Sequence, residues 1–368
     1  MKKHLIFVFF AVFAAVVIVS CGDKGGRDPG TAILDTTAVD TADPQFKIQR
    51  LTNLLKPGSK NWNLWYERAL LLYEVGNTEG ALADANKAVD YSITEPSAYH
   101  FRGFIYYAKQ DDSAALRDFK RAADLDSQNP ETYYHIGQIY FMDKKYEVAE
   151  EAYDYAMKLD SMQPTYYFAK GFMRLQQGKV DAAITQYDMA LKRDPTFVKA
   201  LLGMHDVFLN QKRNPDQAYA FNERVLLVDS TQPVAHFNQG NFFIVRANLL
   251  TDEEKMSEFQ VLLKIALSEF NQCIKYDPQF AQAIYNRGYV YYMLEKYPNA
   301  LDDFSKVISI DPFNEKAFFM KASIQEFQGD LISALENYKR AVEIDPSFKD
   351  AATAVRELAS KVKPKEEQ

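Results

Sequence analysis

Residues 130–163 read PETYYHIGQIYFMDKKYEVAEEAYDYAMKLDSMQ, and residues 164–197 read PTYYFAKGFMRLQQGKVDAAITQYDMALKRDPTF. The two stretches align without a gap, with a proline at the start of each and Gly137 opposite Gly171. A period of 34 residues is a repeat signal. Such a period with apolar residues at helical spacing predicts a pair of helices. We therefore expect a fold built from stacked helix pairs.

The same period continues along most of the chain. Small residues recur in the second helix of each predicted pair, at Ala81, Ala115, Ala149, Ala183, Ala218, Ala266, Ala300 and Ala334. Glycine recurs in the first helix, at Gly103, Gly137, Gly171, Gly240 and Gly288, and an aromatic residue follows most of the alanines, at Phe119, Tyr153, Tyr187, Phe270, Phe304 and Tyr338. Small residues let two helices cross closely, and overpacking at such a position is destabilising. Prolines at the junctions predict where each helix starts, because proline is tolerated in a first helical turn and not inside a helix.

This pattern resembles the tetratricopeptide repeat, and the resemblance covers about three quarters of the chain. It implies an all-α fold, a right-handed α-solenoid of about eight helix-turn-helix repeats with capping helices. The repeats are predicted at 62–95, 96–129, 130–163, 164–197, 198–232, 233–280, 281–314 and 315–348. Apolar stripes predict an N-terminal capping helix within 44–61, and a C-terminal capping helix and tail within 349–368.

Two repeats depart from the pattern. In the fifth, His205 takes the small position and Asn222 the aromatic one, so we expect looser packing there. In the sixth, residues 251–254 read Thr-Asp-Glu-Glu and match a capping box. The helix that they open is predicted to end near Tyr276 and to extend the second helix by up to four turns. A longer loop without a function is the alternative for this insertion.

The N-terminus has the pattern of a secretory signal peptide over residues 1–20, with Lys2 and Lys3 before an apolar run from Leu5 to Val19. That run is too short for an ordinary membrane-spanning helix. Its end, Ile-Val-Ser-Cys at 18–21, resembles the bacterial lipobox, which implies lipidation of Cys21. By that resemblance Gly22 favours the outer membrane, and residues 21–43 are expected to be a flexible tether. An uncleaved signal anchor is the alternative.

In tetratricopeptide proteins the first helices line a concave groove that binds the ligand. The resemblance places these residues in the groove: Tyr66, Tyr73, Phe104, Tyr107, Tyr134, Phe141, Phe168, Phe172, Phe237, Tyr285, Tyr289, Tyr292 and Phe319. Contiguous exposed aromatic surface usually marks a contact site. The alternative for any one ring is that it packs between neighbouring first helices and belongs to the core.

The predicted function is that of a scaffold or adaptor, anchored to the bilayer through Cys21, which binds an envelope protein or peptide. No repeat has the lysine at its fifth place that carboxylate-clamp members use. A surface lipoprotein that binds a glycan or nutrient is the alternative, because aromatic faces also stack on sugar rings. The net charge of −7 argues against a nucleic-acid partner.

A catalytic or cofactor site is not expected. The five histidines do not have the spacing that places two metal ligands on one helix face. The sequence has no phosphate-binding glycine loop and no recognisable pairing of a nucleophile with a base. Cys273 takes the place of a buried alanine, which favours a small core residue over a reactive thiol. We therefore predict that the protein is not an enzyme and needs no metal or cofactor.

Overall fold

The computed structural model describes residues 43–56, 58–250 and 255–362, and this part of the chain contains helices and no strand. The helices are α1 (Pro44–Leu54), α2 (Trp62–Glu74), α3 (Thr78–Tyr91), α4 (Pro96–Ala108), α5 (Asp112–Leu125), α6 (Pro130–Met142), α7 (Tyr146–Leu159), α8 (Pro164–Gln176), α9 (Val180–Arg193), α10 (Val198–Asp206), α11 (Pro215–Val228), α12 (Pro233–Asn248), α13 (Met256–Tyr276), α14 (Ala281–Met293), α15 (Tyr297–Ile310), α16 (Glu315–Phe327), α17 (Leu331–Ile344) and α18 (Lys349–Val362). The all-α class and the helix-pair architecture are confirmed.

Several predictions fall outside the described residues. They are the signal peptide, the lipidated Cys21, most of the tether, the capping box at 251–254 and the end of the C-terminal tail. Among the helices that are described, none is both long and apolar enough to cross a bilayer.

The described residues form two compact parts. The N-terminal part runs to Gly203, and the C-terminal part begins at Met204. In the N-terminal part the helices pack as the pairs α2–α3, α4–α5, α6–α7 and α8–α9, with α1 against α2. In the C-terminal part the pairs are α12–α13, α14–α15 and α16–α17, and α18 packs on α17.

In five of the repeats the pair is held close by a glycine in the first helix and an aromatic residue in the second. A Cβ atom on Gly137 would lie 2.6 Å from Cε1 of Tyr153, and one on Gly240 would lie 2.5 Å from Cε1 of Phe270. Both rings are buried, as is the alanine that precedes each of them by four residues. The two helices can therefore approach only because the first one lacks a side chain at the crossing point.

The junctions have two forms that explain the prolines. In α4, α6, α8 and α12 the proline opens the first helix, where no amide is needed. At the Asp-Pro junctions the aspartate ends the helix and its side chain accepts a hydrogen bond from the backbone two residues on. One such bond joins Thr196 N to Asp194 Oδ1 at 2.8 Å, and another joins Ser347 N to Asp345 Oδ1 at 2.9 Å. These turns stop one helix and position the next.

The fifth repeat differs from the others in its backbone. A π-helical turn, Val207–Gln211, follows α10. His205 and Asn222 are nevertheless buried, and the looser packing expected there stays a prediction. His205 Nδ1 lies 2.9 Å from the carbonyl oxygen of Ala218, and Asn222 Nδ2 donates to the carbonyl of Ala235 at 2.8 Å. Each of these two polar side chains is thus held by the carbonyl oxygen of a buried alanine.

The insertion of the sixth repeat is divided between both of its helices. The first helix, α12, has 16 residues where regular first helices have 13, and the second, α13, has 21 where regular second helices have 14. The second helix ends at Tyr276 as predicted. Its seven additional residues amount to about two turns, at 3.6 residues per turn, instead of the four that the sequence allowed.

Candidate functional site

The predicted groove rings divide into two groups by burial. Six are buried within their own part of the fold: Phe104, Tyr107, Tyr134, Phe168, Phe237 and Phe319. Seven are half-buried and keep part of the ring exposed: Tyr66, Tyr73, Phe141, Phe172, Tyr285, Tyr289 and Tyr292. The first group consists of core side chains with little surface for a ligand. The groove stays a predicted binding site, and the seven half-buried rings are the ones that could contact a ligand there.

One open cavity of about 1030 Å³ lies in the N-terminal part, beside the first helices of the first four repeats. It brings together three of the predicted rings, Tyr66, Tyr73 and Phe104. Its other apolar side chains are Leu51, Leu54, Leu64, Leu70, Leu71 and Phe101, and its polar side chains include Lys47, Arg50, Glu67, Glu74, His100, Glu131, His135, Asp160 and Tyr166. We call it the α1 pocket, because α1 supplies one of its sides.

The aromatic wall of the α1 pocket comes from α2 and α4. Tyr66 and Tyr73 both meet Phe101 edge to face, with ring centroids 5.9 and 6.1 Å apart. Tyr73 also meets Phe104 edge to face at 5.3 Å. Burial raises the pKa of both tyrosines, so they keep their hydroxyl protons. Each ring therefore offers an apolar face together with a hydrogen-bond donor.

Two histidines, His100 and His135, line the α1 pocket beside this wall. Burial and the neighbouring His135 lower the pKa of His100 to about 3. His100 Nδ1 lies 2.8 Å from the hydroxyl of Thr132, and the His135 ring stacks on Phe119 at a centroid distance of 5.1 Å. Because His100 is neutral at physiological pH, it serves as a polar wall residue and not as a cation.

A negatively charged edge lies where α6 and α8 begin. Glu131 is in the first turn of α6, and burial raises the pKa of its carboxyl group. Asp160 ends α7, and Tyr166 is buried in α8. Burial and the negative charges of Glu131 and Asp160 together raise the pKa of Tyr166. Both carboxylates therefore act on one hydroxyl group at the rim of the α1 pocket.

The structure also shows a set of buried ion pairs that sequence reasoning missed. Arg68 with Asp84, Arg102 with Asp118, and Arg287 with Asp303 each form two hydrogen bonds of 2.6 to 2.9 Å between the first and second helix of one repeat. The aspartates are almost fully buried. The signal was present, because each arginine precedes its aspartate by 16 residues and the first two pairs recur at the repeat period.

The predicted rings of the C-terminal part pack partly on its core. Tyr285 lies on Phe304 at a centroid distance of 5.4 Å, while Tyr289 and Tyr292 contact the same cluster of buried residues. Cys273 is fully buried, and burial raises the pKa of its thiol to about 12, which favours a core role over a reactive one. No cluster of His, Cys, Asp or Glu within 43–56, 58–250 and 255–362 has the form of a metal site.

Comparison with known families agrees with this geometry. A model described as TPR repeat matches residues 103–144, and models described as tetratricopeptide repeat match 130–161, 173–231, 281–314 and 315–348. The fold and its helix crossings define an all-α repeat protein. The family matches show, more narrowly, that the repeats of this chain are tetratricopeptide repeats. A search of curated proteins finds no match.

Solved structures support the fold alone. One chain in the crystal structure of the APC/C hetero-tetramer Cut9–Hcn1 is 14% identical to this chain, with a TM-score of 0.52. The similarity covers 84% of this chain and 58% of the Cut9–Hcn1 chain. The pilF protein of Pseudomonas aeruginosa is 17% identical with a TM-score of 0.50, covering 64% of this chain and 97% of that one. A tetratricopeptide repeat protein from Parabacteroides merdae is 17% identical with a TM-score of 0.46, covering 72% and 98%. The chain thus spans less than two thirds of the length of the Cut9–Hcn1 chain.

Proposed function

We propose that this protein is a membrane-anchored scaffold that binds a protein or peptide partner of the bacterial envelope through its first-helix surface. The observation that carries the proposal is the α1 pocket. Its volume of about 1030 Å³ is at the upper end of the range for small-molecule sites. Tetratricopeptide repeats are in general interaction modules, which supports a binding role over a catalytic one.

The pocket has the composition of a site for a protein segment. Leucines from α1 and α2 and the rings of Tyr66 and Tyr73, which pack on the buried Phe101 and Phe104, offer apolar surface, and charged groups also line the pocket. An apolar centre with a polar rim is the usual anatomy of a protein interface. Tyrosine is also among the residues that contribute most to binding at such interfaces.

Anchoring through Cys21 is the second half of the proposal, and the lipobox resemblance supports it. One acyl chain gives only marginal membrane affinity, so stable attachment needs more than one chain on the cysteine. The outer membrane is the proposed location because Gly22, and not an aspartate, follows the cysteine.

A pair of cysteine variants tests the anchor. Cys21→Ala should move the protein from the membrane fraction to the soluble fraction, since the acylated residue is lost. Cys273→Ala should leave it in the membrane fraction, because Cys273 is a fully buried core residue. The measurement is immunoblotting of fractionated cells together with incorporation of labelled palmitate. Equal membrane retention of both variants would contradict the anchor.

A matched pair of surface variants tests partner binding. Leu54 is 52% exposed and lines the α1 pocket, whereas Ile93 is 63% exposed and lies outside it. Leu54→Asp should abolish capture of a partner from solubilised envelope proteins, because it places a charge on the apolar surface. Ile93→Asp should capture that partner as the parent does.

The readout is quantitative mass spectrometry on the full-length chain in detergent, with circular dichroism to verify that both variants remain helical. Failure of the parent to retain any protein, or equal capture by both variants, would contradict binding through this pocket.

A further inference from the structure

The charges around the α1 pocket are unevenly distributed, and this narrows the chemistry of its partner. Four carboxylates lie at its rim: Glu67, Glu74, Glu131 and Asp160. The two basic side chains, Lys47 and Arg50, belong to α1. Glu131 and Asp160 belong to the third repeat, near the start of α8. The acidic edge formed by Glu131 and Asp160 therefore lies on α6 and at the end of α7, whereas the basic side chains lie on α1.

Glu131 is the central group of the acidic edge. Its carboxylate accepts no hydrogen bond and forms no ion pair with any residue within the described ranges, although it is only partly exposed. Burying part of a carboxylate without a partner is unfavourable, and a cation placed beside it would recover that energy. Helix α7 also has a glutamate in its first turn, Glu147, but that one is exposed and does not line the pocket.

Neither basic side chain of α1 provides that cation at the acidic edge. Lys47 and Arg50 form no ion pair with Glu131 or Asp160 in the described structure. The imidazole of His100 is neutral, because its pKa is lowered to about 3. The nearby hydroxyl of Tyr166 stays protonated and uncharged, because its pKa is raised. Because α1, His100 and Tyr166 supply no positive charge there, a cationic group of a ligand fits this edge.

We propose that the α1 pocket binds a peptide segment of a partner protein in which apolar side chains are flanked by a lysine or arginine. The apolar side chains contact the leucines and aromatic rings of α1, α2 and α4. The cationic group lies against Glu131 and Asp160. Apolar burial supplies affinity, and complementary charge selects the partner and fixes its direction in the pocket. This inference rests on the proposed function.

The test selects short random peptides displayed on phage against the full-length chain in detergent. The selected peptides should carry lysine or arginine beside apolar residues. A synthetic copy of the best peptide should bind Glu131→Gln about tenfold more weakly than the parent, as expected for loss of a hydrogen-bonded charge pair. Glu147→Gln is the matched control, since it also removes a charge from a first helical turn, and its affinity should equal that of the parent.

A charge reversal completes the design. Glu131→Lys should prefer the peptide in which glutamate replaces the lysine or arginine. The inference is wrong if the selected peptides lose binding to Leu54→Asp but show no preference for lysine or arginine. It is also wrong if they bind Glu131→Gln as tightly as the parent. Either result leaves the proposed function intact. Recovery of no peptide that depends on Leu54 would overturn both.

Discussion

The ion pair between Arg102 and Asp118 leads to a quantitative prediction about how the repeats are held together. Arg102 Nε and Nη2 donate to Asp118 Oδ2 and Oδ1 at 2.6 and 2.9 Å. The side chains are 16% and 2% exposed. Arg102 Nη1 also donates to Asn86 Oδ1 in the preceding repeat, at 3.2 Å. The guanidinium group therefore joins α4 to α5 and to α3.

Asp118→Ala should destabilise this region strongly, because it leaves a partly buried cation without its carboxylate. Removing one partner of a buried pair costs about 3–5 kcal/mol. We expect a value of about 3 kcal/mol, at the lower end of that range, since Arg102 keeps some exposure and its bond to Asn86. Replacing both partners with apolar residues, as in Arg102→Met with Asp118→Leu, should cost much less than the single change.

The assay is hydrogen exchange of the backbone amides of α4 and α5, which measures the local free energy of opening in a repeat protein. The control is Asp124→Ala, which removes an exposed carboxylate from the same helix and should change that free energy by less than about 0.5 kcal/mol. The ion-pair explanation is wrong if Asp118→Ala lowers the free energy of opening no more than Asp124→Ala does. It is also wrong if the double variant is less stable than Asp118→Ala.

Two further predictions concern packing and pH. Gly240→Ala should destabilise the sixth repeat by about 2 kcal/mol: its Cβ would lie 2.5 Å from the Phe270 ring, so overpacking should cost about 3 kcal/mol, offset by about 1 kcal/mol of helix propensity. Gly103→Ala, whose Cβ would lie no closer than 3.2 Å to a neighbour, should be near neutral in the same urea titration. Because the pKa of His100 is lower in the folded protein than in the unfolded chain, the unfolded chain is protonated at higher pH than the folded protein. The contribution of His100 to the free energy of unfolding is therefore complete above pH 6.5 and is lost as the pH decreases toward 3. Between pH 7 and 5 the loss should be about 2 kcal/mol, and His100→Gln should remove it from the pH dependence of the urea midpoint.

These two predictions have clear opposite outcomes. If Gly240→Ala and Gly103→Ala behave alike, the close approach of α12 and α13 does not depend on the missing side chain. If the parent and His100→Gln lose stability equally on acidification, other groups account for the effect and His100 is not buried in its neutral form.

Most of the fold could be predicted because its determinants lie close together in the sequence. Gly137, Ala149 and Tyr153 fall within one helix pair, and the Tyr153 ring of the second helix packs on Gly137 of the first, only 16 residues away. The 34-residue period repeats this local arrangement along the chain. The course of the sixth-repeat insertion was less predictable, because a continuous helical pattern does not show how many residues each helix of the pair takes up.

The candidate site could be predicted only in part. The repeat pattern places Tyr73 and Tyr107 on equivalent positions of successive first helices, yet Tyr73 lines the α1 pocket and Tyr107 is buried. The difference depends on which helices pack against each ring, and no single repeat encodes that information. The contribution of α1 was also missed. Its apolar stripe predicts a cap, and the pattern alone does not show that Leu51 and Leu54 also line the pocket.

The central claim is that the α1 pocket contacts a partner protein in the cell. The most direct measurement replaces Tyr73 with a photo-crosslinking phenylalanine analogue in the full-length chain, irradiates living cells and identifies the adducts by mass spectrometry. Ile93, which is exposed outside the pocket, receives the same analogue as the control. We expect one protein adduct at position 73 that is absent at position 93 and is lost when Leu54→Asp is added. No adduct at position 73, or the same adduct at both positions, would contradict the claim.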